Sequence, residues 1–368
     1  MFTRKEFLQT ISAVAASALV PAVPAQSSAA PEGAHGRVYP PKRGQIGRGV
    51  TFYSFQDEVT LRKMDLEDCF ATVADLGADG VEIISEMTLP DYPNVSAQFI
   101  DHWNHLMEKY STKPVCYDAM YDSNIRYDRD MIMKESVASL ARDMRIAKQL
   151  GFRTIRAQRT VPPDVIEKTI PVAEQLDVML SIEVHPPLKL KSEWMDSFMA
   201  VIDRTKSKHF GFTLDCGLFA KRPPRVQRDW YIRHGAQESV AKYVETAYEN
   251  GQTKEETAAE VKKMGGNSMD LDWAQSAYNY SYNDPKLILD FAEHIVHSHA
   301  KFYEMTDDFR EYSIPYEEVI PVLLQSGYSG HMSSEYEGQR HINDIVDSDA
   351  PDQLRRHHLM LKRLIGEA

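Results

Sequence analysis

Glu183 and His185 stand two residues apart in the run Ser181-Ile182-Glu183-Val184-His185-Pro186-Pro187. A strand period of two places both on one face. Val178-Met179-Leu180 precedes them and is apolar. The acid and the imidazole therefore sit at the mouth of a buried strand, where desolvation is costly without a metal, a partner or a task. Other apolar runs end the same way. Asp215 closes 209–215, His297 and His299 alternate with Lys301 after Ile295, and Glu335 closes 329–335, with Glu337 and Arg340 just beyond. Glu82 ends an earlier run. Three carboxylates and one imidazole make an oxygen-rich donor set with one nitrogen. That set suits Mn²⁺ first, then Mg²⁺ or Co²⁺, with Zn²⁺ less favoured. A cation there would also relieve repulsion among the carboxylates. His297 and His299 share a face, so spacing alone leaves either as the nitrogen ligand. Each residue taken singly is an ordinary solvated strand end. Their recurrence at successive strand ends is what points to a metal site. Asp118 and Arg156, at two other ends, read as an ion pair inside the mouth, and Cys216 as a buried, inert thiol.

The elements that must position these groups alternate. Strand-like runs at 49–55, 79–84, 114–118, 152–156, 178–185, 209–215, 295–299 and 329–335 are separated by stretches of helical period. Asp65 with Asp68 predicts a capped helix start, and Gly77 a left-handed stop. Pro163 opens another helix, and a basic run at 354–364 closes the chain. This rhythm predicts an α/β fold, a closed (β/α)₈ TIM barrel whose C-terminal strand ends converge on one pocket. An open doubly wound sheet fits less well, because no Gly-rich phosphate loop follows the first strand. One interval breaks the rhythm. Between Asp215 and Ile295 the chain spends about eighty residues on polar, Tyr- and Trp-bearing sequence, far beyond an ordinary connection. Residues 220–285 therefore read as a long helical insertion after strand 6, a lid over the catalytic face or an oligomer arm.

The chain has 368 residues and a formal net charge of -12, which argues against nucleic acid as its partner. Its three cysteines, Cys69, Cys116 and Cys216, have neither metal-pair spacing nor a disulfide framework. Residues 1–30 read as an export signal of twin-arginine type, with Lys5 where the second arginine is expected, cut near Ala25 or Ala30. Its apolar stretch is too short to span a bilayer. Residues 31–45 form a linker and 46–368 the barrel. The expected location is the periplasm, or the cytoplasm if the signal is not functional.

Glu183, Asp215, His299 and Glu335, on strands five to eight, resemble the divalent-metal quartet of the xylose isomerase-like barrel superfamily of sugar isomerases, ketose epimerases and inosose dehydratases. Epimerases of that group carry a histidine three residues after the strand-six aspartate, where this chain has Leu218. Four strings resemble a narrower branch, the large subunit of C-glycoside deglycosidases and 3-oxo-glycoside lyases. They are Ile182-Glu183-Val184-His185-Pro186, Asp215-Cys216-Gly217-Leu218-Phe219 with Arg222-Pro223-Pro224 beyond, His299-Ala300-Lys301-Phe302-Tyr303, and Ser334-Glu335-Tyr336-Glu337-Gly338. The resemblance implies that the quartet holds the metal, that His185 is the general base, and that a small partner subunit is involved; a homo-oligomer is the alternative.

The implied chemistry is consistent with the residue types. A 3-oxo sugar has an acidified C2 proton, and a neutral imidazole beside a divalent metal is suited to take it. Loss of the C1 substituent then completes a β-elimination, with Lys301 or His297 as proton donor. A metal-dependent sugar isomerase or 3-epimerase working through an enediolate shares the first half. An exported carbohydrate-binding barrel with a structural metal is the non-enzymatic reading.

Overall fold

The computed structural model describes residues 45–367. The expected export signal and nearly all of the linker lie outside the described residues. Eight parallel strands close into a barrel in sequence order: β1 (Gly47–Thr51), β2 (Gly80–Ile84), β3 (Lys113–Ala119), β4 (Thr154–Ala157), β5 (Met179–Val184), β6 (Phe210–Asp215), β7 (Ile295–Phe302) and β8 (His331–Tyr336). β1 pairs with both β2 and β8, so no edge is left open. Helices alternate with the strands: α1 (Leu66–Asp75), α2 (Ala97–Lys109), α3 (Met133–Gln149), α4 (Pro163–Leu176) and α5 (Glu193–Thr205). No helix among the described residues is long and apolar enough to cross a membrane.

Local chemistry sets these elements. Asp65 Oδ1 accepts from the Asp68 backbone N–H at 3.0 Å, and Asp68 Oδ2 accepts from that of Asp65 at 2.9 Å, the expected capping box of α1. Gly77 leaves that helix with φ +63°, the left-handed stop. The first strand is shorter than the sequence suggests. The chain leaves the sheet at Phe52 and forms a 3₁₀ turn, Phe52–Phe55. Ser54 Oγ donates to the Ser334 carbonyl and accepts from the Tyr336 N–H. The turn thus docks on the end of β8, while Phe52 and Phe55 enter the core. Buried aromatics gave this turn the composition of a strand.

After β6 come four helices, α6 (Arg225–Arg233), α7 (Glu238–Glu249), α8 (Lys254–Lys263) and α9 (Ser268–Ser276). Val240, Val244, Val261 and Trp273 give them a small core of their own. Arg225 pairs with Glu304 and Glu245 accepts from Tyr312, both partners on the loop after β7. Arg233 pairs with Asp344, after β8. The helices therefore rest on loops at the C-terminal ends of the strands. The chain then passes through β7, α10 (Tyr316–Gln325), β8 and α11 (Ala350–Ile365).

Arg48 on β1 fastens the seam of the barrel. It donates to the carbonyls of Leu76 and Gly77 at the end of α1, pairs with Glu367, and donates through Nη1 to His358 Nδ1 at 2.7 Å. A guanidinium only donates, so His358 Nδ1 accepts and Nε2–H donates to Ser334 Oγ, which donates in turn to His357 Nδ1. Both imidazoles are thereby neutral. Burial pushes His357 down to about 3, and burial and then Arg48 hold His358 well below its ordinary value.

An imidazole depressed in the native state contributes stability that is complete above its unfolded value, near 6.5, and lost as pH falls towards its folded one. Stability should drop by about 1 kcal/mol per buried imidazole over the first pH unit below 6.5, and by about 1.4 kcal/mol per unit further down. Denaturant titrations between pH 7 and 5.5 should show a shallower loss for His357→Gln than for the unmodified chain. Equal slopes would contradict this network.

Candidate metal centre

The four ligand candidates come from four consecutive strands. Glu183 is on β5, Asp215 ends β6, His299 is on β7 and Glu335 is on β8. β6 and β7 are in register at Asp215 and His299. One ligand atom from each lies within 4.8 Å of the others. All four side chains are buried. His299 Nδ1 is 2.9 Å from Glu183 Oε1 and 3.5 Å from Glu335 Oε2. Its Nε2 is 2.7 Å from Glu82 Oε1. Glu82 Oε2 in turn is 2.6 Å from His297 Nε2. His299, not His297, thus joins the three carboxylates, while His297 sits one strand repeat deeper on the far side of Glu82.

The residues fit a divalent cation. Asp215 Oδ2 and Glu335 Oε2 are buried with no well-aligned hydrogen bond, facing the Lys301 ammonium as an ion-pair partner. Burial pushes the Glu335 carboxyl up to about 7, against the pull of Lys301 and His299. Burial also opposes ionisation of Glu183 and Glu82, yet their positive neighbours win. Arg156 and His299 hold Glu183 well below its usual value, and His299 and His297 do the same for Glu82. Glu82, Asp118, Glu183, Asp215 and Glu335 are five carboxylates in one buried volume, against the two permanent cations Arg156 and Lys301. That imbalance needs protons or a metal. Arg156 Nε approaches Asp118 Oδ1 at 3.1 Å, and its Nη1 lies 3.8 Å from Glu183 Oε2. The ion pair read from sequence exists, and it also backs Glu183, a candidate ligand. Cys216 is fully buried, and burial pushes its thiol up to about 12, as expected of an inert group.

His185 and Lys301 complete the cluster. Lys301 Nζ is 2.9 Å from Asp215 Oδ2, 3.3 Å from Glu335 Oε2, 3.4 Å from Glu337 Oε1 and 3.0 Å from His185 Nε2. Burial works against its charge, but Asp215, Glu335 and Glu337 raise it well above the usual lysine value. His185 Nδ1 is 2.6 Å from the Pro186 carbonyl oxygen. A carbonyl only accepts and an ammonium only donates, so Nδ1 carries the proton and the Nε2 lone pair accepts from Lys301. Nε2 is also 3.5 Å from Asp215 Oδ2. The His185 side chain is 32% exposed whereas that of Lys301 is 1% exposed, so the imidazole is the group an incoming molecule meets.

Sequence reasoning did not identify Pro186 as the group that sets the His185 tautomer, nor Tyr280 and Tyr303. These two rings meet edge to face at 5.4 Å, and their charged neighbours include Lys301 and Glu337. Tyr280 comes from the inserted segment and donates to Gln227 on α6. The tyrosine-rich string Tyr278-Asn279-Tyr280-Ser281-Tyr282 was the available signal.

Glu82 should orient the ligand imidazole from behind. Glu82→Gln is expected to weaken divalent-metal affinity by roughly 10- to 100-fold, and Asp215→Asn by more. Titration of the metal-stripped protein with Mn²⁺ measures both. Unchanged affinity in Glu82→Gln would show that His299 is held without it.

Comparison with known proteins agrees with this architecture. The chain is 26% identical over 340 residues to the 3'-dehydrocarminate deglycosidase alpha subunit of Microbacterium sp, covering 87% of this chain and 95% of that one. It is 27% identical over 331 residues to a C-glycoside deglycosidase alpha subunit of Arthrobacter globiformis, covering 88% and 93%. An L-ribulose 3-epimerase structure superposes with a TM-score of 0.52 at 12% identity, over 87% of this chain and 95% of that one. A sugar phosphate isomerase/epimerase from Parabacteroides distasonis gives 0.51 at 12% identity, over 92% and 98%. Residues 70–364 match the family model described as a xylose isomerase-like TIM barrel, and the chain belongs to that family.

Proposed function

We propose that the protein is a divalent-metal-dependent lyase that cleaves the C1 bond of 3-oxo-glycosides. The observation that carries the reading is the fixed tautomer of His185, whose Nε2 lone pair faces the quartet and Lys301. A structural metal in a pure binding protein gives no reason for a partly exposed, pre-oriented base. The likeness to two deglycosidase alpha subunits over most of the chain supports the substrate class.

Glu183, Asp215, His299 and Glu335 would hold the ion, which we take to be Mn²⁺. Such an ion supplies Lewis-acid stabilisation of negative charge developing on a substrate oxygen. His185 Nε2 removes the C2 proton of the 3-oxo sugar, and the C2–H electron pair passes into the enolate with the C3 oxygen. That pair then forms the C1–C2 double bond as the bond from C1 to the leaving group breaks. The departing atom takes a proton from Lys301. His297 is less suited to that task, because it lies deeper, against Glu82. Pro186 keeps the imidazole from flipping to the unproductive tautomer. The insertion acts as a lid, placing Tyr280 beside the reacting groups and limiting water. A small partner subunit belongs to this reading, since both relatives are named alpha subunits.

An isomerase or 3-epimerase shares the proton abstraction and differs in its ending. Leu218, fully buried where epimerases carry a histidine, argues against it.

Two variants separate the steps. His185→Ala should retain its metal yet lose exchange of the C2 proton with deuterated solvent by roughly a hundredfold or more. Lys301→Met should keep that exchange while bond cleavage falls by a similar factor. NMR of a 3-oxo-glucoside incubated in D₂O reads both at once. Exchange persisting in His185→Ala assigns the base elsewhere, and exchange and cleavage lost together in Lys301→Met removes its role as the acid.

A further inference from the structure

Beneath the quartet the barrel holds a second group of metal-ligand side chains, and this one contains sulfur. Glu82 on β2, Cys116 on β3 and His297 on β7 each offer one ligand atom, and these atoms lie within 4.8 Å of one another. All three residues are buried. Glu82 Oε2 is 2.6 Å from His297 Nε2. Glu82 Oε1, on the quartet side, is 2.7 Å from His299 Nε2 but makes no well-aligned hydrogen bond. The Cys116 thiol donates only weakly, to Asp118 Oδ1 at 3.7 Å. The His297 and His299 ring centroids are 5.7 Å apart, so this group lies one strand repeat below the quartet.

Two irregularities in the sheet aim these side chains inward. Between β2 and β3, Val81 pairs with Pro114 but Glu82 pairs with Cys116, so Val115 is an extra residue. Between β6 and β7, Phe212 pairs with Ile295 but Thr213 pairs with His297, so Val296 is extra. Such a bulge reverses the in-and-out alternation beyond it. Cys116 and His297 are the first residues after the two bulges, and both are turned into the barrel. Regular pairing would put Val115 opposite Glu82. The His331 ring closes the floor below. It takes the space that side chains at positions 47 and 80 would fill, since a Cβ on Gly47 or Gly80 would lie 2.6 or 2.8 Å from it.

We propose that Glu82, Cys116 and His297 form a second metal site that takes a thiophilic divalent cation, Zn²⁺ above all. One sulfur, one nitrogen and one oxygen match zinc, whereas the three carboxylates and one imidazole of the quartet suit a harder ion. Binding replaces the Cys116 S–H proton, which leaves to solvent, and a sulfur lone pair goes to the ion. His297 binds through Nε2 as the Nδ1–H tautomer. The buried charge favours a second ion. With the quartet ion bound and the histidines neutral, the five buried carboxylates still exceed Arg156, Lys301 and that ion by one charge. A second divalent ion together with one thiolate closes the difference. The ion ties β2, β3 and β7 across the barrel, a structural role beneath the proposed catalytic one.

The test titrates the metal-stripped full chain with Co²⁺, which reports a thiolate ligand by an intense near-ultraviolet charge-transfer band. The band is expected in the unmodified chain, in Cys216→Ser, and in Asp215→Asn, which weakens the quartet alone. Cys116→Ser should lose it. A second measurement needs no variant. Zn²⁺ added to the Mn²⁺-saturated, unmodified protein should bind at one further equivalent per chain, and zinc-edge X-ray absorption should show one sulfur neighbour at about 2.3 Å. None of these readouts involves turnover, so the site and the lyase reading fail separately. A band that survives in Cys116→Ser, no band in the unmodified chain, or zinc with only oxygen and nitrogen neighbours overturns the site.

Discussion

Charge compensation inside a narrow barrel is the constraint on which the rest of this molecule depends. Glu82, Asp118, Glu183, Asp215 and Glu335 are each nearly or fully buried, and only Arg156 and Lys301 offset them permanently. Moving unpaired carboxylates out of water costs several kcal/mol each. A fold that tolerates them must hold them close to cations or bind one. The arrangement is layered along β7, whose alternate side chains point inward. His297 binds Glu82 at the deepest level, His299 joins the candidate ligand carboxylates above it, and Lys301 meets Asp215, Glu335 and His185 at the top. That top layer is the one solvent reaches, through the His185 side chain.

The two faces of the pocket are built by different means. Glu183 and His299 sit within strands and Asp215 and Glu335 at or near strand ends, so their positions follow from sheet register and are rigid. His185 lies one residue past β5, and Arg340 in the loop after β8, so these depend on local devices: a Pro186 carbonyl for one, the close approach of Gly338 to the Tyr303 carbonyl for the other. The inserted helices add Tyr280 from above while keeping a separate small core. Carboxylates and an imidazole set by the sheet, with neighbouring polar groups set by loops, let one barrel architecture host different chemistries.

Much of this was legible in the sequence, for a physical reason. Charged residues at the ends of apolar, β-branched runs are costly, so Glu183, Asp215, His299 and Glu335 stand out against their surroundings, and strand alternation tells which residues share a face. The ends of elements were less legible. Val50 to Phe55 has strand composition throughout, yet the chain turns at Phe52, because a hydrogen bond from Ser54 to the distant Ser334 decides it. The choice between His297 and His299 also needed geometry, since both point inward from β7. Tautomers, the sharing of Glu337 by Lys301 and Arg340, and the Arg48 seam, which joins residues 310 positions apart, all depend on specific atomic contacts that periodicity does not encode.

A bound cation is the centre of the proposed chemistry. Crystals of the Mn²⁺-loaded protein, measured on the high-energy side of the manganese edge, test it directly. One anomalous peak per chain is expected, bound by Glu183, Asp215, His299 Nδ1 and Glu335. A barrel with no peak there, or with the ion held by other side chains, would contradict it.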